Sequence, residues 1–317
     1  MDLSDQIALL LGDFSHLESR IRHLDYDTDK CGERINVRCS YLAFRDDKPT
    51  FDEFIDVISN HLTSFCLPRS EIKAAQQSIQ GGDHVQAALT MDTLSQRARD
   101  LFIKAKKGSN RSGEGGEIVL YLLNEWQLKA PQIVSKMYLK TNNNMPVHGT
   151  DGIHARYDSG LDKLFLYWGE SKAHKTLEGG LSDALASIKK FIDEAKEKRE
   201  IEIVSSFADF DGLDDDAQEA FLKYLDPYEE ASNERVTVYS CLLVHNAPQF
   251  DNDASEDYEK LYIEEVNKTV EAFISSINQK VKGKALEQQR FEFFLLPVPD
   301  VQDFRDKFQA KIGWPND

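Results

Sequence analysis

An aspartate, a glutamate and a lysine in the middle of the chain have the types and spacing of a metal-dependent phosphodiesterase site. Asp151 precedes one strand-like run, and Glu170 and Lys172 end the next, Lys163–Lys172. Carboxylate oxygens suit Mg²⁺ or Mn²⁺, which can polarise a phosphate and lower the pKa of a bound water. A neighbouring lysine can orient that water or stabilise charge on the phosphorus. We therefore predict that Asp151 and Glu170 are metal ligands and that Lys172 is the catalytic cation.

A β-hairpin must bring these side chains together. One face of the second strand carries alternate residues, namely Leu164, Leu166, Trp168, Glu170 and Lys172. If the turn is centred between Gly160 and Leu161, Asp151 lies opposite Glu170, with Cβ atoms about 4.5–5.5 Å apart. Two carboxylates this close repel each other, and a divalent cation is the usual compensation. A register slip of one residue would turn Asp151 to the other face.

The acidic-x-Lys triplet alone has little specificity, because the chain holds several others, including Glu71-Ile72-Lys73 and Glu194-Ala195-Lys196. Only Glu170-Ser171-Lys172 ends an apolar strand with an aspartate opposite. The alternative is a surface salt bridge at the end of a strand. The charged stretch Glu194 to Glu200 itself is interpreted as a solvated helix face.

The hairpin lies within an αβββαβ order of elements. The predicted elements are a helix at Glu117–Trp126, strands at Gln132–Lys140, Gly152–Tyr157 and Lys163–Lys172, a long helix from Leu177, and a strand at Arg235–Val244. This order predicts the α/β class, with a mixed sheet flanked by helices. A glycine-rich stretch, 108–116, marks a boundary between an N-terminal α+β region, 1–107, and a domain over 108–317. The N-terminal region, with a strand at Arg34–Phe44, is a candidate partner interface.

Composition points to a globular protein that binds DNA poorly unaided. Of 317 residues, 41% are hydrophobic and 29% charged, and the formal net charge is −17. Phosphate binding normally requires a basic surface, so either the protein never meets DNA or a partner delivers it. No apolar run approaches the roughly 18 residues of a membrane helix. The N-terminus lacks a signal-peptide pattern, and the scattered cysteines form no CxxC pair, so we expect a cytoplasmic protein without a zinc site.

The same residues carry a resemblance to known nucleases. Asp151 followed by Glu170-Ser171-Lys172 resembles the PD-(D/E)xK signature, although no proline immediately precedes Asp151. Arg111-x-Gly113-x-x-x-Glu117 resembles the element that brings a third acid from the first core helix in that superfamily. The resemblance implies Glu117 as an additional metal ligand. The alternative is a glutamate that interacts favourably with the helix dipole.

Longer segments resemble the HamA family, the nuclease subunits of the Hachiman antiphage defence system. They are GEIVLYLLNEW, KMYLKTNNNMPVHGTDGIHARY, LYWGESKAH and FFLLPVPD, and the similarity is most specific over residues 110–190. The resemblance implies a restriction-endonuclease-like fold and a Mg²⁺-dependent DNA nuclease that works with a superfamily-2 helicase, HamB. The partner would then supply most of the DNA binding. The alternative is a non-catalytic, helicase-binding regulatory subunit, against which the intact set of Asp151, Glu170 and Lys172 argues.

Other basic side chains near the hairpin could contact phosphate. The candidates are Lys136, Lys140, Lys175, His148 and His174. The lysines have the alternative of being plain surface residues. For the two histidines we favour the alternative, a loop position without a chemical role.

Overall fold

One mixed β-sheet of six strands organises the molecule. The computed structural model describes residues 2–26, 31–79, 83–106, 114–140, 150–247 and 258–314, without the side chains of Glu114 and Lys140. The strands of the sheet are β1 (Ile21–Leu24), β2 (Ile35–Leu42), β5 (Gly152–Asp158), β6 (Lys163–His174), β7 (Arg235–Asn246) and β8 (Phe291–Val298). Their spatial order is β1-β2-β8-β7-β6-β5. The four inner strands run parallel, and the two edge strands, β1 and β5, are antiparallel to their neighbours.

Helices cover both faces of this sheet. They are α1 (Leu3–Ala8), α2 (Ser15–Glu18), α3 (Phe51–Asn60), α4 (Leu62–Cys66), α5 (Arg69–Ile79), α6 (His84–Lys106), α7 (Glu114–Leu128), α8 (Lys136–Lys140), α9 (Leu177–Asp193), α10 (Lys196–Phe207), α11 (Asp215–Lys223), α12 (Tyr258–Gly283) and α13 (Val301–Ile312). A short ribbon joins β3 (Phe44–Arg45) to β4 (Lys48–Pro49). None of the helices in the described ranges is both long and apolar enough to cross a bilayer.

Two apolar cores lie on opposite faces of the sheet. Side chains of α9 and α12 pack on one face, and side chains of α3, α7 and α13 pack on the other. Strand β8, Phe291–Val298, is buried along its whole length. Parallel strands that are covered on both faces read as continuous apolar runs, and this explains the composition of β8. The predicted α/β class, with a mixed sheet flanked by helices, is confirmed.

The hairpin of β5 and β6 has the predicted register. Ile153 pairs with Trp168 and Gly152 with Gly169, so the turn is centred between Gly160 and Leu161. The apolar side chains Leu164, Leu166 and Trp168 all enter the core under α9. Beyond Gly169, β6 continues to His174 beside β7 alone among the described strands. The charged residues therefore lie where β5 no longer covers the edge of β6.

The predicted strand Gln132–Lys140 is wrong for most of its length. Gln132 forms a single antiparallel bridge with His154, at the outer edge of β5. The chain then turns into α8 at Lys136, so the first of the three expected core strands is reduced to this bridge. A short apolar run does not distinguish helix from strand.

The N-terminal region contributes strands to the same sheet. β2 lies parallel to β8, with Ile35 opposite Phe291, and β1 pairs with β2 at the edge. Phe54 of α3 stacks on Phe304 of α13, with ring centroids 6.4 Å apart. The segment around the predicted boundary, 107–113, lies outside the described residues. The strands on its two sides nevertheless form one sheet.

A sharp corner separates α9 from α10, where the sequence suggested that one helix continues. Ala195 adopts a left-handed conformation with φ of 50°. Its amide donates to the Ile192 carbonyl at 3.0 Å, which closes the end of α9. The next helix, Lys196–Phe207, therefore starts after a break in the helical backbone, and Glu197 in its first turn accepts a hydrogen bond of 2.7 Å from Thr237 of β7.

Candidate active site

Backbone hydrogen bonds hold Asp151 against the free edge of β6. Its amide donates to the Gly169 carbonyl at 2.8 Å, which continues the ladder one residue beyond the strand. Its Oδ2 accepts a hydrogen bond of 2.8 Å from the Ser171 amide. The carboxylate thus takes the place that a neighbouring strand carbonyl would occupy, and it lies beside Glu170.

Glu170 and Lys172 form a partly buried ion pair on the face toward α9. The Lys172 Nζ lies 2.5 Å from Glu170 Oε1, and the side chains are 29% and 13% exposed. Burial and the nearby Asp151 carboxylate raise the pKa of Glu170 to about 7. Burial opposes the charge of Lys172, but Glu170, Asp151 and Asp183 together hold the pKa of Lys172 above its usual value. Lys172 is therefore a cation at neutral pH and is not poised as a base.

These three side chains open into a cleft of about 290 Å³ between the edge of β6 and α9. Besides Asp151, Glu170 and Lys172, polar side chains line it, namely those of Thr150, Ser187, Lys190 and Lys196. Ser187 lies close enough to Glu170 to favour its ionised form. Apolar side chains form the floor, including Trp168 and Phe191. The cleft thus joins two acids and three lysines on one side of the sheet.

The donor set suits a hard divalent cation. Across the described part of the chain, no three His, Cys, Asp or Glu side chains gather closely enough to hold a metal. Mg²⁺, however, is usually bound through one or two carboxylates, with waters and substrate phosphates completing its shell. Asp151 and Glu170 supply two such carboxylates, and burial, followed by the charge of Asp151, raises the pKa of Glu170, so a bound cation would favour its ionised form. The residues present therefore fit Mg²⁺ or Mn²⁺.

A match to a known family model identifies the family of the chain. The HamA family model matches residues 17–312 of the 317. The chain belongs to the HamA family. This membership makes it a component of the Hachiman antiphage defence system, which implies a partner. No protein with curated function matches the chain.

Glu117 is not brought to the cleft of this HamA chain. It lies on α7. This helix packs on the face of β6 that carries Ser171, as shown by Gly116 of α7, where an added Cβ would collide with the Ser171 hydroxyl. Alternation along β6 sends Glu170 to the opposite face. Glu117 is buried and forms an ion pair with Lys106 of α6. Its role as a third metal ligand stays a prediction that this arrangement does not support.

The predicted contact of Lys136 with phosphate is wrong. Its side chain is 2% exposed, and Nζ lies 3.0 Å from both carboxylate oxygens of the buried Glu200. Nζ also donates to the carbonyl of Thr150 at 2.7 Å. A buried ammonium requires such partners, so Lys136 anchors the residue before Asp151 and does not face solvent.

The remaining predicted contacts have different outcomes. Lys175 is exposed just before α9, and His174 is exposed with its Nδ1 3.1 Å from the Thr176 amide at the helix start. Their contacts with phosphate stay predictions. His148 and the side chain of Lys140 lie outside the described residues.

Sequence reasoning missed the contribution of α9 and α10 to the cleft. Asp183, Ser187 and Lys190 are spaced four and three residues apart, so they share one side of α9. This stripe flanks the buried stripe of Leu181, Leu185 and Ile188, and the spacing was visible in the sequence. Lys196 was interpreted as part of a solvated face, because the corner at Ala195 leaves no signal in the residue types.

Proposed function

We propose that the chain is a metal-dependent DNA nuclease subunit that hydrolyses phosphodiester bonds in complex with a helicase. One observation carries the proposal. The carboxylates of Asp151 and Glu170 and the ammonium of Lys172 converge in a single cleft at the free edge of β6.

Each residue has a distinct role in this proposal. Asp151 and Glu170 would hold a Mg²⁺ or Mn²⁺ ion, which when bound polarises the phosphate and acidifies a water. Lys172 stays protonated beside Glu170, so it acts as a cation toward charge that develops on the phosphate oxygens. The Ser171 amide fixes the orientation of Asp151, and this limits the motion of one ligand before substrate arrives.

The negative charge of the chain is one reason why the proposal includes a helicase partner. At −17, the chain as a whole repels a polyanion, so little DNA affinity is expected from its surface alone. Membership of a defence system implies a partner, and a helicase would supply both the DNA and its single-stranded regions.

The test uses the full chain, alone and with its co-purified helicase, on plasmid and linear DNA with Mg²⁺, Mn²⁺ or a chelator. We expect metal-dependent cleavage by the wild type. We also expect a loss of at least about 100-fold with Glu170→Gln and with Lys172→Met, since removal of one electrostatic stabiliser typically costs that much. Glu219→Gln/Lys223→Met is the matched control, because it removes an exposed ion pair of 2.8 Å on α11.

Two results would contradict the proposal. Cleavage that survives both cleft substitutions at the level of the control variant would place the chemistry elsewhere. A wild-type complex that cleaves no DNA under any metal condition would favour the alternative, a non-catalytic subunit that regulates the helicase.

A further inference from the structure

We propose that Lys190 and Lys196 form a phosphate-binding site at the rim of the cleft, which holds the nucleic-acid backbone beside the bond to be cut. The inference rests on the proposed nuclease function and extends it to substrate binding. Both lysines line the same cleft as Asp151, Glu170 and Lys172.

The corner between α9 and α10 brings the two lysines together. Lys190 lies in the last turn of α9 and Lys196 is the first residue of α10. Lys190 reaches Glu194 from one turn earlier in α9, and Lys196, beyond the left-handed Ala195, pairs with the same carboxylate. Lys196 Nζ lies 2.6 Å from one oxygen of Glu194, and Lys190 Nζ lies 3.9 Å from the other.

The shared carboxylate resembles the ligand that the pair would bind. A phosphodiester, like Glu194, presents oxygen acceptors and one negative charge to two ammonium groups. The side chains of Lys190 and Glu194 are 70% and 43% exposed. Exposed ion pairs contribute little net free energy, so a phosphate can replace Glu194 at low cost.

Because the molecule is strongly negative, any local positive charge near the cleft matters for binding a phosphate. The chain is strongly acidic, and the cleft itself contains Asp151 and Glu170, which repel an approaching phosphate. Lys172 is paired with Glu170 at the bottom of the cleft. Lys190 and Lys196 share the single carboxylate of Glu194, so together they leave one net positive charge on the wall of the cleft that α9 and α10 form.

The test measures DNA binding in a chelator, so that affinity is separated from cleavage. Fluorescently labelled single-stranded and duplex oligonucleotides are titrated with the full chain over a series of KCl concentrations. The variants are Lys190→Gln/Lys196→Gln and, with the opposite expectation, Glu194→Gln. The matched control is Lys189→Gln/Lys198→Gln. It removes the same charge from the same helices, but Lys189 pairs with Asp193 and Lys198 lines a different cleft, beside α11.

We expect the lysine pair to lower affinity at low salt at least about fivefold, the effect of one charge contact at about 4 Å in water. The slope of log K against log salt should decrease by about one for each lysine. Glu194→Gln should raise affinity because it removes the competing carboxylate. The control pair should leave the slope close to that of the wild type.

Equal effects of the two lysine pairs would overturn the inference, since total charge alone would then explain the loss. An unchanged slope in Lys190→Gln/Lys196→Gln, or no binding by the wild type at the lowest salt, would overturn it too. Failure of the nuclease proposal would appear differently, as absent cleavage with intact lysine-dependent binding.

Discussion

Glu170 is held where its charge is disfavoured. Burial and the neighbouring Asp151 raise its pKa from 4.5 to about 7. Between these values the folded protein binds a proton at Glu170 that the unfolded chain does not. The free energy of unfolding must therefore fall as the pH rises through this window, and above it the ionised side chain costs stability. A site that attracts a cation is, without one, a source of instability.

Replacement of Glu170 by glutamine should stabilise the metal-free protein at high pH. In chelator at about pH 8 we expect Glu170→Gln to raise the free energy of unfolding by roughly 1–3 kcal/mol. The difference should shrink as the pH falls through 7 and vanish well below pH 4.5, where the wild-type side chain is neutral in both the folded and the unfolded state. Urea denaturation across this range measures it, with the exposed Glu219→Gln as control. A loss of stability at pH 8 would show that the ion pair with Lys172 outweighs the cost of burial.

Side chains are predictable from sequence when their partners are close along the chain. Asp151 and Glu170 belong to one hairpin, so alternation and a single turn were enough to bring them together. Lys136 is different, because its partner Glu200 lies on α10 and nothing local marks either residue as buried. Both charges fall in stretches that read as exposed, and only the tertiary fold pairs them.

At the level of elements, the contact of α7 with β6 depends on a glycine. A Cβ at Gly116 would collide with the hydroxyl of Ser171. That hydroxyl is buried, and it finds no hydrogen-bond partner among the described residues. Gly116 therefore leaves room for the Ser171 hydroxyl, although that hydroxyl gains no hydrogen bond there to offset the cost of its burial.

This contact predicts a non-additive pair of substitutions. Gly116→Ala alone should gain helix propensity but displace the Ser171 hydroxyl from its rotamer, so that its stability falls by at most about 1 kcal/mol. Ser171→Ala alone should be neutral or stabilising, because it removes an unpaired buried hydroxyl. The double variant should be at least as stable as the wild type. Thermal denaturation of the four proteins checks this, and additive effects would contradict the packing argument.

Element boundaries show where local patterns are decisive. The apolar alternation in β5 and β6 fixed the register of the hairpin, because a slip would expose every core side chain. The run from Gln132 to Lys140 has apolar residues compatible with either helix or strand, and the strand prediction was wrong after the first residues. The corner at Ala195 was missed because alanine normally favours a continued helix.

At the level of the whole molecule, the sheet joins the two ends of the sequence. The α/β class followed from the order of helices and strands, but the position of β2 did not. β2 pairs with β8, which lies more than two hundred residues later, and short-range patterns carry no information about such a pairing. The glycine-rich stretch marks a change in sequence character, whereas the sheet continues across it.

The chain should consequently fold as one unit. A fragment of residues 108–317 lacks β2, so the apolar strand β8 stays paired with β7 on one side but exposes its other backbone edge. It also lacks Phe54, which stacks on Phe304 of α13. We expect the fragment to aggregate or to unfold without a cooperative transition, while the full chain shows a single one. Co-expression of residues 1–107 as a separate chain should restore a soluble complex with a cooperative transition, because it returns the missing strands. A fragment 108–317 that alone unfolds cooperatively near the midpoint of the full chain would contradict this dependence.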